Sequence, residues 1–168
     1  SKDKIVGIGE VRIDFYWIKE HNKRECEVGL FEQIIQLANK LNLPLNVHSR
    51  RAEELVVDLL IEKCKVPVLL HSFGGSIEIA KKAVKQGFFI GIPPLIKNSK
   101  KYQEIAKEIP LQNIITESDS PYQGPVFKQR NTSQNVKIVV EEIAKTKDLD
   151  EEKVRKQLLE NAKRLFRL

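Results

Sequence analysis

The chain has 168 residues, 41% hydrophobic and 31% charged, which suits one soluble domain, residues 1–168, large enough to bury a core. No apolar run approaches the ~20 residues of a membrane helix, and Cys26 and Cys64 are too few and too far apart for a disulfide framework or a zinc knuckle. The formal net charge of +6 suits a polyanionic partner such as nucleic acid, and equally well a solvated, lysine-rich helical surface. The opening SKDKIVGIGE has no signal-peptide layout, so a cytoplasmic protein with no membrane partner and reduced thiols is expected.

Along the chain, the apolar run Ile5–Gly9 predicts a strand that delivers Glu10. The polar stretch KEHNKRE reads as loop, with His21 solvated. Leu30, Ile34, Leu37 and Leu41 then share one helical face. Leu43–Val47 predicts a second strand, followed at once by His48, Ser49 and Arg50. A helix is expected over Ala52–Lys63, with Cys64 packed in it, and then a strand over Val66–Leu70 that ends at His71. Ser76 can cap a third helix and Gly87 can close it. Phe88–Ile92 is the next apolar run, and Asn98 or Ser99 can start a fourth helix. Asn113–Thr116 leads to Glu117 and Asp119 and then to a loop from Pro121 to Pro125. The last two helices are expected near Asn135–Lys145 and from about Glu151, the latter capped by Asp150.

Short strands alternating with helices imply βα units and a parallel sheet, either open and doubly wound or part of a (β/α)8 barrel. Gly7-Ile8-Gly9-Glu10-Val11-Arg12 lacks the third glycine of a dinucleotide fingerprint, which argues against that use of the fold. Four of the predicted strands each lead to a possible metal ligand, namely Glu10, His48, His71 and Asp119. Strand C-termini carry the chemistry of parallel barrels, and two imidazoles with two carboxylates suit a divalent cation that activates water. Each residue alone has a plainer role: a hydrogen-bonded histidine, a Glu10–Arg12 pair, or an Asx turn at Asp119. The repetition at equivalent strand ends favours the metal site. Glu117 points the same way as Asp119 if the strand continues, which makes it either an orienting partner for a ligand or a structural ion pair. Ser49 and Arg50 stand at the mouth of this site, and Arg130 follows the proline-rich loop. Arginine suits phosphate oxygens through its two-pronged geometry.

Taken in order, GIGEVRID, FEQIIQLANKLNLPLNVHSRRA, HSFGGS, IPLQNIITESDSPY, RNTSQNV and ENAKRLF resemble the successive motifs of the TatD family of metal-dependent deoxyribonucleases, in its archaeal-type branch. The resemblance runs along nearly the whole chain. It implies a (β/α)8 TIM barrel with one or two divalent cations (Mg, Mn or Zn) and hydrolysis of phosphodiester bonds, typically in DNA. Glu10, His48, His71 and Asp119 carry over as metal ligands, and Asp119 also as the catalytic group that takes a proton from the attacking water. Arg12 stands where the family usually has Gly, Ser118 where it has Thr, and Ser133 where it has Pro.

The family's N-terminal His-x-His has no counterpart here. Eight barrel units take ~250 residues, so five take ~155, and the chain is expected to cover about strands 4 to 8, the C-terminal five-eighths of the barrel. Such a part leaves two sheet edges unpaired. It is expected either to self-associate or to be completed by an N-terminal segment. Two other functions remain open at this point: an inactive remnant that binds a partner or nucleic acid, and a hydrolase of small esters or amides on the same fold.

Overall fold

A computed structural model of the chain describes residues 5–168, so Ser1 to Lys4, the start of the stretch read for a signal peptide, lie outside the described residues. Five parallel strands, β1 (Ile8–Asp14), β2 (Leu45–Arg50), β3 (Val68–His71), β4 (Phe89–Ile92) and β5 (Ile114–Thr116), form one sheet in the order β1-β2-β3-β4-β5. Six helices follow or separate them: α1 (His21–Leu41), α2 (Glu53–Lys63), α3 (Ile77–Lys85), α4 (Lys100–Glu108), α5 (Val136–Lys147) and α6 (Glu151–Phe166). Strictly sequential parallel order belongs to a barrel wall. A doubly wound sheet would reverse its order at a switch point.

Strand alternation sorts the residues onto two faces. Ile13, Leu45, Val47, Val68, Leu70, Ile90, Ile92 and Ile114 point to the helical side and form the main core with Phe31, Ile35, Val56, Leu60, Ile105, Val139 and Ile143. The opposite face carries Leu69, Phe89 and Ile115, closed by Leu165 and Phe166 of α6. Above them on that face stand His48 and His71, paired across β2 and β3. The last helix crosses beneath the strands and is tied there by polar contacts. Asn161 Nδ2 donates to the carbonyls of Leu111 (2.7 Å) and Ile114 (2.8 Å), and Arg167 donates to that of Asn42 (3.0 Å).

Local chemistry fixes several helix ends as predicted. Ser76 Oγ accepts from Ile79 N, Ser99 Oγ from Tyr102 N, and Asp150 Oδ1 from Lys153 N, each satisfying a free amide of a first turn. Gly87, at φ 80°, leaves α3 through the left-handed region.

Four expectations change. His21 is exposed, but it begins α1 instead of lying in a loop. Pairs at i,i+3 and i,i+4 (Lys23–Glu20, His21–Glu25) and Arg24, which donates to Ile18 O at 2.8 Å, extend that helix nine residues ahead of Leu30. The buried face of α1 is Phe31, Ile35 and Ala38, while Leu30 and Leu37 are exposed. The helix carries two adjacent apolar stripes, and packing on the sheet selects the one with Phe31. Cys64 caps the end of α2 in extended conformation and does not pack within it. Glu10 is the third residue of β1 and not its end, because the strand runs on to Asp14.

Candidate metal centre

Glu10 owes its place to an irregularity in β1. Ile8 pairs with Leu45 and Val11 with Val47, so three steps on β1 oppose two on β2. Gly9 permits the close approach, since a Cβ there would lie 2.6 Å from Asn46 Cβ. Glu10 Oε1 then lies 3.6 Å from His48 Nδ1. His48 and His71 are register partners, with ring centroids 6.1 Å apart. Ligand atoms of Glu10, His48 and His71 all lie within 4.8 Å of one another.

Metal bonds of ~2 Å place two ligand atoms roughly 3–3.5 Å apart, so the Glu10–His48 spacing is close to that of two groups sharing an ion. His48 Nδ1 is buried and has no hydrogen-bond partner. A lone pair left that way costs free energy unless something occupies it. The donor set of Glu10, His48 and His71, two imidazoles with one carboxylate, therefore fits a divalent cation, while Asp119, expected as a fourth ligand, falls outside this cluster and lies against His71.

His71 lies between two acids. Glu117 Oε2 is 2.9 Å from its Nδ1, and Asp119 Oδ1 is 3.3 Å from its Nε2. Burial disfavours a charge on this imidazole, but the hydrogen bonds and charges of Asp119 and Glu117 outweigh it and push its pKa up to about 10. Burial also raises the Glu117 carboxyl above the usual range, against the opposing pull of His71. At Asp119 burial acts upward too, but His71 and the Gln123 amide outweigh it and hold the carboxyl below its ordinary value. Glu117 thus lies against His71 Nδ1 as either an orienting partner or a structural ion pair would. Gly91 makes room for it, since a Cβ there would collide with the Glu117 carboxylate.

Asp119 stands three residues beyond β5, at φ 49°, and is held by side chains the sequence did not single out. Gln123 Nε2 donates to Asp119 Oδ2 at 2.7 Å and also to the Ser72 hydroxyl. Tyr102 Oη lies 3.2 Å from Ser72 Oγ and from Gln123 Oε1, and burial pushes its pKa up to about 12. Asn131, 2% exposed, pins the loop by donating to Ser118 O and, at 2.7 Å, to Tyr122 O. A polar side chain deep in RNTSQNV was the available signal, but its partners lie up to 13 residues away.

The other candidates fall in different places. Ser49 is buried, and alternation puts it on the face opposite His48, so it supports β2 and does not line the cluster. Arg50 shares the His48 face, and its guanidinium lies 3.8 Å from the Tyr16 ring centroid. Arg130 is exposed on the loop after Pro125. Arg12 is exposed and in register with His48, and no Arg12–Glu10 ion pair forms among the described residues, the Glu10 carboxylate facing His48 Nδ1 at 3.6 Å instead.

A sequential parallel wall with a carboxylate–imidazole cluster at its C-terminal end defines a class, the metal-site barrels. The family model described as TatD related DNase matches residues 1–167. The chain belongs to that family. It is 41% identical over 168 residues to the human deoxyribonuclease TATDN3, covering 98% of this chain and 61% of that protein. It is 40% identical over 174 residues to the metal-dependent hydrolase YabD of Bacillus subtilis, covering 100% of this chain and 68% of the relative. The fold matches the crystal structure of a TatD homologue from Escherichia coli with a TM-score of 0.86 at 23% identity, over 98% of this chain and 65% of that one. The chain thus spans about three-fifths of the length of the human relative. No helix among the described residues is long and apolar enough to cross a membrane.

Proposed function

We propose that this chain is the C-terminal five-eighths of a metal-dependent phosphodiesterase that acts on DNA. The observation that carries the reading is the Glu10–His48–His71 cluster, with Asp119 and Glu117 against His71, on one end of a parallel sheet. The name of the human relative supports the substrate, and the formal charge of +6 is compatible with a polyanion. A divalent cation held there would polarise a phosphoryl oxygen and supply a nucleophilic water at neutral pH. Glu10, His48 and His71 would hold it. Glu117 fixes the ring orientation of His71. Asp119, kept ionised by His71 and Gln123, accepts the proton of the attacking water. Arg50, on the His48 face and beside the Tyr16 ring, is the candidate to meet a phosphate at the mouth through its N–H fork. Arg130 is the weaker candidate for the same task.

Three protein ligands suit one ion. Glu10 stands on β1, whose outer edge is unpaired among the described residues. Ligands for a second ion would come from the strand that pairs with that edge. Hydrolysis by the 168 residues alone is therefore expected to be weak, and the open edge is expected to self-associate or to be closed by an N-terminal segment.

The test is cleavage of plasmid DNA, a single-stranded oligonucleotide and a small aryl phosphodiester with Mg²⁺, Mn²⁺ or Zn²⁺, by this chain and by a form extended at its N-terminus. DNA cleavage that disappears in His48→Ala supports the reading. Turnover of carboxylic esters or amides with no phosphodiester cleavage would replace it.

A further inference from the structure

Beyond the cluster, β1 is followed by Phe15, Tyr16 and Trp17. Asp14, 5% exposed, folds this end into a tight turn: its Oδ1 accepts from Tyr16 N at 2.9 Å and from Trp17 N at 3.2 Å. The backbone closes behind it, with Ile18 N donating to Asp14 O at 3.1 Å. Held this way, Trp17 is 70% exposed, which is unusual for the largest apolar side chain. Tyr16 braces it edge to face, with centroids 4.8 Å apart and planes at 88°. Cations surround the pair. Arg50 lies 3.8 Å from the Tyr16 centroid and 5.9 Å from that of Trp17, while Arg51 and Lys19 lie 4.9 and 5.2 Å from Tyr16.

The position is informative. Arg50 is two residues beyond His48 on β2, on the same face, and pairs in register with Asp14. Two strand residues are ~7 Å, so the aromatic pair sits at the rim of the carboxylate–imidazole cluster. An apolar partner would gain little from an indole packed on a tyrosine that three cations approach. A ligand with both π-faces and anionic groups would satisfy both.

We propose that Trp17, braced by Tyr16 with Arg50 and Arg51 against that tyrosine, stacks an unpaired nucleobase of a strand whose phosphate lies at the Glu10–His48–His71 cluster. This rests on the nucleic-acid reading given above and narrows it to single-stranded or locally opened substrate. In a duplex the base faces are hidden by stacking, whereas an unpaired base offers its face to a side chain. Arg50 and Arg51 engage the flanking phosphates through their N–H edges.

The chain contains one tryptophan, so its intrinsic fluorescence reports on Trp17. Without divalent metal, to prevent cleavage, a short oligodeoxythymidine with an end label is titrated against the chain, following label anisotropy and tryptophan emission together. An abasic strand of the same length is the control, and vesicles of anionic phospholipid are a third probe. Emission is expected to fall in step with anisotropy for the thymidine strand and to stay constant for the abasic one. Trp17→Ala should weaken the thymidine strand about 5- to 100-fold and leave the abasic strand unchanged, with Trp17→Phe retaining most of the affinity. Circular dichroism checks the fold of both variants. Binding without a change in emission, equal quenching by both strands, or undiminished binding by Trp17→Ala overturns the proposal and leaves the nucleic-acid reading standing. Quenching by vesicles but not by the strand assigns the platform to a lipid surface and overturns it as well. If neither strand binds in any form, the nucleic-acid reading itself fails.

Discussion

Glu117→Gln is the most informative single change at the centre. The substitution keeps the size and shape of a side chain that is 10% exposed and lies 2.9 Å from His71 Nδ1. It removes the negative charge that fixes the ring and makes the imidazole a better donor of electrons. It also puts an amide N–H₂ where Glu117 Oε1 is already buried without a partner. Partners of this kind contribute 10–100-fold in metal affinity, or about 1.4–2.7 kcal/mol. The assay is calorimetric titration of Mn²⁺ or Zn²⁺ into the metal-free chain near pH 7.5, with circular dichroism to check the fold. The expected result is 10–100-fold weaker binding with one site retained, because Glu10, His48 and His71 are all still present. An unchanged affinity in a folded variant would refute the orienting role of Glu117. Complete loss would mean that Glu117 is itself a ligand.

Three further outcomes follow from the same geometry. Gly91→Ala should weaken metal binding in the same titration, because the added methyl displaces the Glu117 carboxylate from beneath His71. Asn161→Ala should cost about 2–3 kcal/mol in urea unfolding, since a buried carbonyl at the start of β5 and a part-buried one just ahead of it lose their donor; a loss below about 0.5 kcal/mol would argue against α6 as the strap beneath the sheet. In the metal-free chain, the raised pKa of His71 stabilises the fold fully below its unfolded value of ~6.5, and this contribution is lost as pH rises toward about 10. The depressed Asp119 acts oppositely, stabilising above ~4 and losing its contribution as pH falls. Thermal midpoints measured from pH 3 to 10 should therefore decline at both ends, and the alkaline decline should vanish when bound metal replaces the proton.

Much of this molecule was set by local pattern. The alternation of apolar runs and amphipathic stretches determines five strands and their helices, and the capping roles of Ser76, Ser99 and Asp150 depend on contacts three residues away. Glu10, His48, His71 and Asp119 could be picked out because each follows an apolar run, and in parallel βα units that placement brings side chains to one end of the sheet. What the sequence could not decide depends on partners distant along the chain. Glu117 meets His71 across 46 residues, and Gln123 links Asp119 to Ser72 across 51. The choice of Phe31 over Leu30 as the buried stripe of α1 waits on the sheet it packs against, and Ser49 turns from the site because alternation on β2 gives that face to His48. Tyr16 and Trp17 have no local motif that marks them, and only the turn at Asp14 and the approach of Arg50, 34 residues later, bring them to the site's rim. Local sequence fixes which groups are available, because dihedral preference and hydrophobic period act over a few residues. Only the folded sheet fixes which of them meet, because register and strand order join residues with no local relation.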